Sequence, residues 1–179
     1  MATLLEVHML TLTLRRAGPA DTEVLYRLVQ FHAFETSAWH HEDLNDDGNY
    51  FCGRDAFAST LSILPGGVHL VVLSGRVAGF VVVDQRVLAG ETHPELAGLL
   101  VLPKYRRQGW ATRVVQQLLA ADRRWWYVAP YRADDSALAY WQAFRVKGRC
   151  EVRRLPDAPE AGWCDVCLIR SAEPPEPSA

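Results

Sequence analysis

The run LLVLPKYRRQGWATRVVQQLL, Leu99 to Leu119, constrains the fold of this chain more than any other segment. An apolar stretch breaks at Pro103, a basic turn containing Gly109 follows, and apolar residues then recur at helical spacing. A strand that feeds a helix through such a turn belongs to a strand, helix, strand unit of an α/β sheet. The turn is also a place for a phosphate. The first N–H groups of the helix have no internal partner, and the helix dipole favours negative charge there.

The rest of the pattern agrees with an α/β domain. Leu10 to Arg15 alternates as a strand, and Asp21 can cap a helix running to Phe34. A polar, aromatic-rich segment spans Glu35 to Tyr50, and Arg54 to Ser62 reads as a second helix before the Pro65, Gly66, Gly67 turn. His69 to Leu73 and Val77 to Asp84 form a hairpin around Ser74, Gly75 and Arg76. A polar loop around Gly90 to Pro94 then leads to a strand at Leu96 to Leu102 and a helix from Gly109 to Ala121. Further elements are a strand at Arg124 to Ala129, a helix at Ser136 to Phe144, and strands at Arg149 to Leu155 and Trp163 to Arg170. This divides the chain into an extension (1–9), one domain (10–170) and a Pro- and Glu-rich tail (171–179) expected to be disordered.

A net charge of −2 gives no global field for nucleic acid or an anionic membrane, and no segment is apolar over a membrane-spanning length. Without an export signal at the start, the expected location is the cytoplasm, with reduced thiols. The CDVC run, Cys164 to Cys167, lies in an expected strand, whose i and i+3 residues face opposite sides, so joint metal ligation is not expected.

The turn YRRQGWA resembles the acyl-CoA pyrophosphate loop of the GNAT acyltransferase superfamily, [Q/R]-x-x-G-x-[G/A], through Arg106, Gly109 and Ala111. The preceding Leu99, Leu100, Val101, Leu102 and Pro103 match the family's strand. VAPYRADDSALAYWQAF, with Asp134, Ala137, Tyr140 and Trp141, approximates a second family motif. The resemblance implies a mixed, mostly antiparallel sheet of six to seven strands with a central splay, flanked by about four helices. It implies acetyl-CoA as acyl donor, an amine acceptor and no metal. Dimers are common in the family, so a homodimer stays open, with Trp125 and Trp163 either at a contact or in the core. The amides of Arg107, Gln108, Gly109, Trp110, Ala111 and Thr112 would meet the pyrophosphate. Backbone groups at Leu100, Val101 and Leu102 would meet the pantetheine arm, with Leu100 and Leu102 foremost.

Acyl transfer to an amine needs a group to take the amine proton and, often, an acid for the departing thiolate. For the base the sequence offers Glu95, at the start of the strand before the loop, then Glu91 and His93. The family's acid is a Tyr, but here Trp141 takes its place, leaving Tyr140, Tyr131 or no side chain for that role. A chain that kept the loop and lost the chemistry would be a CoA-binding sensor instead. Asp43, Asn45, Asp47 and Gly48 reproduce the opening of a calcium loop, but position twelve is Arg54 rather than Glu, which favours an Asx-rich turn. Glu35, Trp39 and Tyr50, beside Glu42, Asp43, Asp46 and Asp47, suit a cationic acceptor.

Overall fold

Seven strands in the order β1-β2-β3-β4-β5-β7-β6 form one sheet in a computed structural model that describes residues 10–50, 53–147 and 150–172. The strands are β1 (Leu12–Arg16), β2 (Gly67–Leu73), β3 (Arg76–Leu88), β4 (Glu91–Val101), β5 (Trp126–Val128), β6 (Cys150–Arg154) and β7 (Cys167–Ser171). The helices are α1 (Thr22–His40), α2 (Arg54–Ile63), α3 (Trp110–Ala121) and α4 (Asp135–Val146). Neighbouring strands are antiparallel except β4 and β5, which α3 connects as a parallel crossover. The mixed, mostly antiparallel sheet and four helices are those expected from the resemblance.

Both faces of the sheet are covered. Val114, Val115 and Leu119 of α3 and Trp141 and Phe144 of α4 pack on Val81 and other strand residues of one face. Leu25 and Leu28 of α1 and Phe57 of α2 pack on Leu70, Phe80 and Leu100 of the other. Burial at this level is worth about 1.5–3 kcal/mol for each large apolar side chain.

Three expectations about boundaries are corrected. The loop expected around Gly90 to Pro94 is part of a long hairpin. Ala89 and Gly90 both adopt positive φ, 48° and 86°, as a two-residue turn of the type that matches strand twist requires. Strand pairing then runs from Leu88↔Glu91 through Gln85↔Pro94 to Gly79↔Val101. Helix α1 does not stop at Phe34. Thr36 and Ser37 return their hydroxyls to the carbonyls of Ala33 and Phe34 (3.3 and 2.9 Å), and the helix continues until His41, in the left-handed region, donates its N–H to Ser37 O. Trp163 follows a 3-10 turn (Pro159–Gly162) rather than opening a strand, and β7 reaches Ser171, one residue into the expected tail. Residues 1–9, 173–179 and Cys52 lie outside the described residues.

Candidate active site

Strands β4 and β5 are in register at one position, Glu95 against Tyr127. Two features part them beyond it. Leu96 pairs with Val83 and Gly98 with Val82, so Ala97 is an extra residue, a bulge that bends β4. After Val128, β5 gives way to Ala129 and Pro130, and proline has no N–H to offer β4. The carbonyl of Pro130 instead accepts from Asp165 N at 2.9 Å on the β7 side. The result is a V-shaped opening with Glu95 at its apex.

The edge of β4 along this opening is backbone. Leu102 N–H donates to Ala78 O at 2.8 Å, so the alternation of the ladder also turns the N–H and C=O of Leu100 to β3. Leu100 O lies close enough to Gly79 that any Cβ there would overlap it. The groups turned to the opening are therefore those of Leu99 and Val101, one residue out of phase with the expectation for Leu100 and Leu102. Val101 O is already taken by Arg106 Nε at 2.6 Å. The N–H and C=O of Leu99 and the N–H of Val101 remain along the edge.

The strand runs into a 3-10 turn (Pro103–Tyr105) and then into the basic turn. Arg106 is a staple here. Its N–H donates to Pro103 O (3.2 Å), and its guanidinium holds both carboxylate oxygens of Glu35 on α1 at 2.8 and 2.7 Å. That arrangement ties the turn to β4 and α1, and it neutralises Glu35, which had been expected to face an acceptor. Gln108 is tied as well, donating through Nε2 to Lys104 O and accepting from Trp110 Nε1. The Trp110 ring is core, with the Arg113 guanidinium 4.7 Å above it. What Trp110 presents to the opening side of the turn is its amide.

Gly109 caps α3 with φ at +82° and supplies no side-chain oxygen. The first intrahelical bond runs from Arg113 N–H to Gly109 O at 3.1 Å. The amides of Trp110, Ala111 and Thr112 therefore have no acceptor within the helix. A Cβ on Gly109 would meet nothing within 4 Å, so the corner that leads into these amides is open at Gly109. Together the uncapped amides and the open space fit a pyrophosphate. Arg107 is also left-handed, with φ at +62°, which costs a non-glycine residue about 1 kcal/mol. Arg107→Gly is accordingly expected to stabilise the fold by about 0.5–1 kcal/mol, read as a rise of roughly 2 °C in Tm in a thermal melt.

Glu95 is the fifth residue of β4 rather than its start, and its side chain is 15% exposed. Burial pushes the carboxyl up from its ordinary range, and the Arg86 guanidinium, 3.2 Å away, partly opposes this. Arg86 also reaches Glu160 at 3.1 Å and lies 4.8 Å over the Tyr127 ring. The Tyr127 hydroxyl donates to Glu160 at 3.0 Å, and burial together with that carboxylate raises the phenol. Of the other two expected bases, Glu91 stands exposed at the hairpin turn, and His93 is buried with Nδ1 donating to Trp125 O.

On α1, the half-buried Trp39 follows Glu35 by one turn, and His32 precedes it by one. Burial lowers the His32 pKa against the fields of Glu35 and Asp134, which raise it, so the imidazole is neutral at pH 7. His40 sets its ring 4.2 Å from Tyr131, whose phenol burial pushes up. Asp134 is the N-cap of α4, accepting from Ala137 N at 2.9 Å and from Ser136 Oγ. Trp141 is buried, and the half-buried Tyr140 ring packs against it and Phe144 at 5.1 and 5.9 Å. Much of the second motif thus serves the start and the packing of α4. Arg86, Glu160 and His32 escaped the sequence reading because their neighbours are distant in the chain and no local pattern marks them.

The segment after α1 is an Asx turn. The Asn45 side chain accepts from Asp47 N and Asn49 N at 3.0 and 2.9 Å, and Gly48 takes a positive φ. Tyr50 donates its N–H to Gln30 Oε1 and meets the Phe34 ring. Cys164 precedes β7 rather than sharing its strand with Cys167, and the two pack in separate clusters. Trp125 is flanked by the guanidiniums of Arg153 and Arg170, while Trp163 is 56% exposed. Among the described residues no group of three or more His, Cys, Asp or Glu could hold a metal, and no helix is long and apolar enough to cross a membrane.

Comparison with curated proteins returns no match. Solved structures do match. An acetyltransferase from Thermus thermophilus superposes with a TM-score of 0.64 at 22% identity, covering 92% of this chain and 99% of that one. An N-acetyltransferase from Staphylococcus aureus gives 0.61 at 14% identity, covering 88% and 99%. The protein yncA from Salmonella typhimurium, solved with its cofactor acetyl-CoA, gives 0.55 at 17% identity, covering 94% and 99%. The model of the acetyltransferase (GNAT) family matches residues 25–144, about two thirds of the sequence, and on that match the chain belongs to the GNAT acetyltransferase family.

Proposed function

We propose that this protein transfers the acetyl group of acetyl-CoA to a primary amine of a cationic acceptor, by direct attack while both are bound. The observation that carries the reading is the V-shaped opening between β4 and β5, a backbone edge that runs into an uncapped helix N-terminus. Leu99 and Val101 would bind the pantetheine arm in the manner of an added strand. The amides of Arg107 to Thr112 would hold the pyrophosphate. Acetyl-CoA supplies an activated acetyl carbonyl and a thiolate leaving group.

Glu95, at the apex of the opening, takes the proton that the attacking amine gives up. Its burial supports the role, since a carboxyl harder to ionise is a stronger base. Tyr140 on α4 and Tyr131 at its entrance are the two phenols for returning a proton to sulfur. Burial keeps Tyr131 protonated at neutral pH. For the acceptor, Glu42, Asp43, Asp46 and Asp47 stay exposed beyond the end of α1, close in sequence to Trp39 and Tyr50. Such a surface attracts a polyamine, an aminoglycoside-like compound, or a lysine or N-terminal amine.

The test is calorimetric titration with CoA followed by thiol release from acetyl-CoA across a panel of such amines and neutral controls. Binding with turnover confined to the cationic amines is the expected result. Binding without turnover on any amine would favour the sensor reading, and failure to bind CoA would overturn both.

A further inference from the structure

We propose that Arg86 and Glu160 are positioning residues for Glu95: one guanidinium, shared between two carboxylates where β4 and β5 part, holds the base and sets its charge. This rests on the reading of Glu95 as the proton acceptor. Arg86 gives Nη2 to Glu95 at 3.2 Å and Nη1 to Glu160 at 3.1 Å. The plane of the guanidinium is steadied by the Tyr127 ring, 4.8 Å away and wholly buried, and the Tyr127 hydroxyl fixes Glu160 at 3.0 Å. Tyr127 is also the residue in register with Glu95, so the backbone that ends the β4–β5 pairing carries the platform for the network.

The two partners act in opposite senses. A cation beside Glu95 favours its ionised form, and a second carboxylate disfavours it. Were Arg86 to pair with Glu95 alone, it could close on it with both nitrogens and bury the lone pairs the amine proton needs. Glu160 prevents that by holding the other half of the guanidinium. The charged and titratable groups facing Glu95 are Arg86 and Asp84 from β3, Tyr127 from β5 and Glu160 from the turn before β7.

The full chain, labelled with carboxyl-13C glutamate, provides a direct readout by NMR, with the Glu95 signal assigned by its loss in Glu95→Gln. Arg86→Gln is expected to raise the Glu95 midpoint by about one pH unit and Glu160→Gln to lower it by about half a unit. Arg86→Lys keeps the charge and is expected to stay near the parent. CoA binding, through a turn none of these changes touches, checks that each variant is folded. The acidic limb of kcat/KM, measured with the amine the parent acetylates, is expected to move in the same order. Midpoints that stay put, or move in the same direction in both variants, overturn the proposal. If Glu95→Gln abolishes the acidic limb while Arg86→Gln and Glu160→Gln leave it in place, the positioning roles fail and the base stands. If Glu95→Gln keeps the parent rate and limb, the base itself is wrong, and the positioning roles fall with it.

Discussion

Glu95→Gln is expected to lower kcat for amine acetylation by roughly 10²–10⁴-fold, the usual worth of a positioned general base, while CoA binding stays within about twofold of the parent. A lysine-like amine, with a pKa of about 10.4, arrives almost wholly protonated at neutral pH and must shed protons to attack and to leave as an amide. Gln keeps the volume and one hydrogen-bond acceptor for Arg86 but cannot take a proton. The pH dependence has a definite sign. Burial raises the Glu95 carboxyl, so activity is lost as pH falls through that raised value, and the parent rate has an acidic limb that the variant lacks. Stability runs the other way. The folded protein holds the Glu95 proton more tightly than the unfolded chain does, so ionising it above that value opposes folding. The variant is therefore expected to keep or gain Tm at neutral pH, with Arg86 still paired to Glu160. A variant with the parent's kcat and acidic limb would remove Glu95 from the chemistry.

The turn between β4 and α3 was legible because it is local. Its donors are consecutive amides, its left-handed corner needs Gly109, and the helix that follows announces itself by period. What surrounds the turn was less so. Which backbone groups of β4 face the opening depends on the phase of the β3–β4 ladder and on the bulge at Ala97, and neither leaves a mark in the order of apolar residues. The sequence pattern also could not assign Arg106, whose partner Glu35 arrives from α1; a basic residue in a phosphate motif looks the same whether it meets a phosphate or a carboxylate. Helix α1 runs past Phe34 into a segment whose polar composition suggests a loop, because the Thr36 and Ser37 hydroxyls find carbonyls within the helix. The network around Glu95 was invisible for a related reason. Arg86 lay beyond the expected end of its strand, and Glu160 sits in a 3-10 turn far along the chain.

Gly109→Pro is expected to weaken CoA binding by at least about 100-fold, roughly 2.8 kcal/mol at 1.4 kcal/mol per tenfold. Proline fixes φ at about −65°, whereas Gly109 sits at +82°, so the corner between the basic turn and α3 cannot keep its shape. The substitution also deletes one amide and swings the neighbouring ones off the phosphates. Hydrogen bonds to a charged group are worth about 1.5–3 kcal/mol each, so losing one and misaiming another reaches the expected value. The fold is expected to survive, because Val114, Val115, Leu118 and Leu119 anchor α3 beyond the damaged corner. Gly109→Ala separates shape from chemistry. It keeps the amide and fits the open space above Gly109, but it carries the left-handed strain of about 1 kcal/mol. Its expected loss of CoA affinity is therefore at most about fivefold, with whatever strain the free protein carries showing as a lower Tm instead. Calorimetry with CoA on both variants, each checked by far-UV circular dichroism, separates the cases. Parent-like binding by a folded Gly109→Pro would mean that the phosphates lie somewhere other than this turn.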